Sequence, residues 1–235
     1  FSNPAILSAN STQSVISSAF AYARDNKINL LSDAGFSNWI NNNSSHLSFQ
    51  IQAGKYRTYW EQPSPNYIGV IEAAFISKKV TPAEVWNERI KPGSKKSYIS
   101  NYDAEIINSI VARDPEFVLN QVEDQEFASR FSYPYRSKVY QALASCGKLT
   151  KKSARKIRSD SSEEASQAGI KAIAENLSKF DLPTEILSQV MDTKHYHSAK
   201  FLALNIPYEY LPFMAVCQDQ SIRQIVVERI SAGRS

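Results

Sequence analysis

The sequence predicts a mainly α-helical protein, an α-solenoid of stacked helical hairpins with one small β-hairpin near residues 47–60. Three observations carry that expectation. The 235 residues hold only 7 Gly and 10 Pro, too few for the tight turns of an all-β fold, while 43% hydrophobic content with 12 Tyr and 11 Phe supplies a full core. Four similar phrases are built around Pro: VTPAEVWNERI at 80–90, RDPEFVLNQV at 113–122, DLPTEILSQV at 181–190 and NIPYEYLPFM at 205–214. The hydrophobic period also changes from helical to alternating at residues 47–60.

Residues 1–63 stand apart from the Pro phrases. STQSVISSAFAYARD at 11–25 reads as a helix with Val15, Ile16, Ala19, Phe20 and Ala23 on one face. SDAGFSNWINN at 32–42 reads as a second, capped by Ser32 or Asp33 and ended by the run Asn41, Asn42, Asn43. LSFQIQAGKYRTYWEQ then alternates Leu47, Phe49, Ile51 and, beyond Gly54, Tyr56, Thr58 and Trp60, which is a hairpin signal. An isolated hairpin is marginal in water, so this one must pack on the helices or on a partner. Phe49, Tyr56 and Trp60 are the residues through which it would meet an assembly partner. Pro63-Ser64-Pro65 separates this region from a helical-repeat domain at 64–235.

Within that domain the Pro residues mark helix starts, because a first-turn N–H has no intrahelical partner for Pro to remove. Thr81 and Glu84 form a capping box around Pro82, and Asp114 caps the helix opened by Pro115 and Glu116. Pro183 and Pro207 are each followed two residues later by an acid, Glu185 and Glu209. Thr150 reads as a fifth start without Pro, with Ala154 and Ile157 in the same register. Three, four and seven or eight residues after each Pro come apolar positions: Val85, Trp86 and Ile90; Val118, Leu119 and Val122; Ile186, Leu187, Val190 and Met191; Tyr210, Leu211 and Met214. These lie on one helical stripe.

The segment before each start is helical too, with small residues in its apolar face: IGVIEAAFISKKV, AEIINSIVARD, KVYQALASCGKL, GIKAIAENL and AKFLALNI. Small residues at a contact face let helix axes approach. The starts at 82, 115, 150, 183 and 207 are spaced by 33, 35, 33 and 24 residues, the period of stacked helical hairpins, and SIRQIVVERI at 221–230 closes the array. Over roughly residues 64–231 the hairpins resemble short HEAT-like repeats. The last two units resemble leucine-rich-variant repeats in their Pro-x-Glu start and the DQSIRQ turn. The resemblance implies a fold and no particular activity.

Charge carries the functional expectation. From Arg130 to Arg158 there are nine Lys or Arg and no Asp or Glu; with the chain at +4, the remainder carries −5. Arg136, Lys138, Lys148, Lys151, Lys152, Arg155, Lys156 and Arg158 are therefore read as a surface for nucleic acid or an acidic protein. On a helix over 151–158, Lys151, Arg155 and Arg158 share one face and Lys152 and Lys156 the next, and Tyr133, Tyr135 and Tyr140 would stack bases. The competing expectation is a solvated face balanced by Glu163 and Glu164 or by acids of the next repeat, in a protein–protein scaffold or assembly subunit.

Catalysis has no visible motif: there is no Gly-rich phosphate loop, GxSxG elbow or Cys-His nucleophile pattern, and no cofactor is implied. HEAT-like DNA glycosylases are similar in size and build and would use Trp and an acid around a base, but no motif carries their catalytic residues onto this chain. Asp192, His195 and His197 lack metal-ligand spacing and read as a hairpin turn. Trp39, Trp60 and Trp86 read as packing residues. Cys146 and Cys217 give no disulfide framework and fit a reducing, intracellular compartment. No apolar run approaches the roughly 20 residues that span a bilayer. The first residue, Phe1, predicts a fragment or a processed product, with no signal peptide at this start.

Overall fold

The computed structural model describes residues 81–90, 99 and 101–233. The helices expected at 11–25 and 32–42, the hairpin with Phe49, Tyr56 and Trp60, and the boundary at 63/64 lie outside them. Eleven α-helices and two 3-10 turns cover 75% of the described residues, with no strand among them, so the described part is mainly α. Two compact units divide the chain: Phe1–Ile90 with Ser100–Ser109, and Lys91–Ile99 with Ile110–Ser235.

In the first unit α1 (Pro82–Arg89) starts as its chemistry dictates. Thr81 Oγ1 accepts from the Glu84 N–H at 3.2 Å, and Glu84 Oε2 accepts from the Thr81 N–H at 2.7 Å. Val85, Trp86 and Ile90 are buried. The helix α2 (Asn101–Arg113) begins in this unit, with Ile106 and Ile107 buried, and ends in the second.

The second unit continues with α3 (Pro115–Glu123), α4 (Phe127–Arg130), α5 (Tyr133–Ser145), α6 (Lys151–Arg158), α7 (Glu163–Glu175), α8 (Pro183–Val190), α9 (Tyr196–Asn205), α10 (Leu211–Met214) and α11 (Gln220–Ala232). Their neighbours alternate. The helices α3, α6, α8 and α10 pack in one row, each against the next; α5, α7, α9 and α11 pack in another. The rows meet where α5 touches α3, α6 touches α7 and α10 touches α11. Expected register positions face inward in each helix of the first row: Val118, Leu119 and Val122; Ala154 and Ile157; Ile186, Leu187 and Val190; Leu211 and Met214 are all buried.

Close approach depends on small residues. A Cβ at Gly169 in α7 would lie 2.5 Å from Ile157 Cγ2 and 3.1 Å from Tyr140 Cβ, so α7 reaches α5 and α6 only with Gly there. The array closes on α11, whose N-cap Asp219 accepts from the N–H groups of Ser221 and Ile222. Near its other end, Arg229 donates through Nη1 to the Ala203 carbonyl at 2.7 Å, satisfying the frayed end of α9.

One expected start is corrected. Pro207 opens no α-helix; it precedes a 3-10 turn, Tyr208–Tyr210, and the α-helical turn begins only at Leu211. A helix begun at Pro207 would carry Pro212 in its interior, where the ring clashes with the carbonyl four residues back. Restarting at Leu211 puts Pro212 in a first turn. Of the expected Tyr210, Leu211 and Met214 stripe, Leu211 and Met214 are buried and Tyr210 is half-buried.

Candidate polyanion-binding surface

The basic run splits when it folds. Helix α5 ends at Gly147, whose φ of +67° is left-handed, with Gly147 N–H bonded to Ala144 O and Lys148 N–H to Leu143 O. That pattern is a Schellman cap, and a Cβ there would meet the Lys179 carbonyl at 2.3 Å. The reversal delivers Thr150 as the cap of α6. Thr150 Oγ1 accepts from the Ser153 N–H at 3.1 Å, and Ser153 Oγ accepts from the Thr150 N–H at 2.8 Å.

In α6 the eight residues KKSARKIR divide cleanly. Ser153, Ala154 and Ile157 are buried, and all five remaining positions are Lys or Arg. Lys151, Lys152 and Arg155 are exposed; Lys156 and Arg158 are half-buried. Inward and outward positions follow from the 3.6-residue period alone.

The outward cations are not equivalent. Lys151 pairs with Glu185 of α8 at 2.8 Å, and Lys152 with Glu123 of α3 at 3.1 Å. An acid of the next helix in the row thus balances Lys151, in line with the competing expectation, whereas Glu163 and Glu164 do not reach the ridge. Glu163 accepts from Gln167 and Glu164 from Ser162; the Glu164 backbone N–H, and then the Ser162 hydroxyl, hold the Glu164 carboxyl below its ordinary range. Beside the two paired lysines lies a cleft of 540 Å³ whose floor includes Leu149, Phe180 and Ile186.

Further along α6 no carboxylate answers the charge among the described residues. Arg155 Nε donates to Gln189 Oε1 at 2.5 Å, and Lys156 Nζ to the Asp124 carbonyl at 3.5 Å. Both acceptors are neutral, so neither cation is balanced by an acid there. Arg158 has no side-chain partner among the described residues. Lys138, on α5, is half-buried, and Lys148, in the turn after Gly147, is exposed; neither belongs to the α6 face.

Arg136 is a correction. It is 5% exposed and sits inside α5 facing the core, where it holds Asp160 by a fork of two bonds, Nε to Oδ2 at 2.9 Å and Nη2 to Oδ1 at 2.7 Å. Its Nη1 donates to the carbonyls of Ala128 and Phe131. Burial opposes the charge on Arg136, but the Asp160 carboxylate outweighs it and holds the guanidinium pKa above its ordinary value. The Tyr140 hydroxyl donates to Asp160 Oδ2 at 2.6 Å, and burial, reinforced by that carboxylate, raises the phenol pKa. Tyr135 and Tyr140 are buried and unavailable to stack on bases; Tyr133 is 40% exposed.

Sequence reading missed Asp160, which lies two residues beyond the basic run and 24 from Arg136. It also missed Glu123, Gln189 and Lys194, whose nearness to α6 is set by the packing of rows. The expected turn at Asp192–His197 forms, but α9 starts inside it at Tyr196 with His195 as N-cap. Among the described residues no three His, Cys, Asp or Glu side chains converge as metal ligands, and no helix is long and apolar enough to cross a membrane. The chain matches no protein-family profile, no curated protein and no solved structure.

Proposed function

We propose that the second unit is a short α-solenoid that binds nucleic acid, or another polyanion of similar charge spacing, without transforming it. The carrying observation is α6, a helix whose every outward position is Lys or Arg and whose every other position is buried. Alternation of the two rows supports the solenoid reading, since each hairpin packs on the next as repeats do. Contact falls mainly to Arg155, Lys156 and Arg158, because Lys151 and Lys152 already have carboxylates. With Tyr135 and Tyr140 buried, recognition is by phosphate and is insensitive to base sequence.

The scaffold reading has its own support in exposed apolar side chains late in the chain, Phe213 at 48%, Val216 at 72% and Val227 at 56% exposure. In that reading the segment 47–60, expected from the sequence to form a hairpin, is a second docking element. One titration separates the two. Two unrelated duplexes and a single strand should bind with similar affinity at about 50 mM salt and weaken steeply at about 200 mM. No binding at the lower salt overturns the polyanion reading and leaves the scaffold.

A further inference from the structure

At its C-terminal end α6 borders a cleft of 360 Å³ lined by Arg158, Ser159, Asp192, Lys194 and Gln218. All five are polar or charged residues. Two cations face one acid, and the acid is engaged: Asp192 Oδ1 accepts from the Gln218 N–H at 3.1 Å. Neither the Arg158 guanidinium nor the Lys194 ammonium has a hydrogen-bond or ion-pair partner among the described residues. A helix C-terminus ordinarily offers bare carbonyls that repel anions. Here Ser159 Oγ donates to the carbonyls of Arg155 at 2.9 Å and Lys156 at 3.4 Å, and Ser166 Oγ donates to that of Arg158 at 3.5 Å. Behind the Gln218 wall, Arg223 Nη1 donates to the carbonyls of Cys217 and Gln218 at 2.6 and 2.7 Å, adding positive charge there.

We infer that this cleft seats one phosphate group, with the planar fork of Arg158 on two of its oxygens and Lys194 as a point charge opposite. The inference rests on the polyanion reading for one source, a backbone phosphate continuing past the α6 face. A free phosphate carries the same chemistry. Lys194 and Gln218 lie outside the basic run, so the cleft extends the surface beyond what α6 provides.

The test compares the whole chain with Lys194→Gln and with Lys200→Gln, which removes the same charge from an exposed position of α9 that does not line the cleft. Duplex DNA and inorganic phosphate are the probes. Lys194→Gln should bind duplex about fivefold more weakly at low salt and lower the slope of log affinity against log salt by about 0.9, while Lys200→Gln keeps the parent's values. Inorganic phosphate should move the Ser159 and Gln218 amide resonances of the parent and leave those of Lys194→Gln unmoved. If phosphate moves these amides but Lys194→Gln binds duplex like the parent, the cleft stands with free phosphate as its source. If the parent binds no duplex yet phosphate moves the amides, the α6 reading fails and the cleft survives. Parent-like duplex binding by Lys194→Gln together with silent amides overturns the cleft and leaves α6 untouched.

Discussion

Arg136 and Arg158 come from the same basic run, 22 residues apart, and end in opposite circumstances. One is buried in α5, forked onto Asp160 and bonded to two carbonyls; the other is half-buried at the end of α6 with no side-chain partner among the described residues. Composition does not distinguish them. Helical phase does: Arg136 falls on a face shared with Val139, Tyr140 and Leu143, whereas Arg158 follows Ile157 on the outward side of its helix. A cation facing the core must bring its own acid, since an unpaired charge there is strongly unfavourable. A cation facing water needs no such partner.

The contrast breaks most sharply on stability. Arg136→Met leaves Asp160 buried without its charge partner and should destabilise by about 3–5 kcal/mol, whereas Arg158→Ala should stay within about 0.5 kcal/mol of the parent. Urea titrations of both variants check this, and equal losses would erase the distinction. Leu187→Ala comes next. Leu187 is fully buried in α8, between neighbours in the first row, and truncation should cost about 2–5 kcal/mol. Because each helix of the row packs on the next, hydrogen exchange should quicken first across 160–231; unchanged exchange there would remove the row packing from the account.

A smaller effect concerns alkaline pH. Burial and then the Asp160 carboxylate raise the Tyr140 phenol above its ordinary 10.0, so the folded chain keeps a proton that the unfolded chain releases. The raised value adds nothing below the unfolded pKa, and stability falls as the pH climbs past it. Tyr140→Phe lacks this dependence. The stability gap between parent and variant should narrow between about pH 9 and pH 11 as the parent loses ground. A gap that stays constant would mean that neither burial nor the Asp160 carboxylate raises the phenol.

Much of the helical framework was legible because its signals are local. Thr81 with Glu84, Asp114 with Phe117, and Thr150 with Ser153 each meet within one turn, so spacing alone predicts the bond. Pro207 misled because the deciding residue, Pro212, lies a turn beyond the start. The outward face of α6 was likewise readable from period, since eight residues hold three small or apolar positions and five cations. What remained hidden was every long-range partner: Asp160 for Arg136, Glu123 and Glu185 for the two lysines, Lys194 beside Arg158. Those distances are set by how rows pack, and a single sequence carries no periodic trace of them.

On the polyanion reading, Arg155, Lys156 and Arg158, the three α6 cations that no carboxylate answers among the described residues, neutralise phosphates and contribute little to the fold. The triple change Arg155→Ala, Lys156→Ala and Arg158→Ala tests it through the slope of log affinity for duplex DNA against log salt. It leaves the ion pairs of Lys151 and Lys152 in place. With an unchanged circular dichroism spectrum and urea midpoint, the slope should become shallower by about 2.7, or about 0.9 for each phosphate no longer neutralised, and affinity at low salt should drop accordingly. A folded triple variant with the parent's slope would contradict the claim.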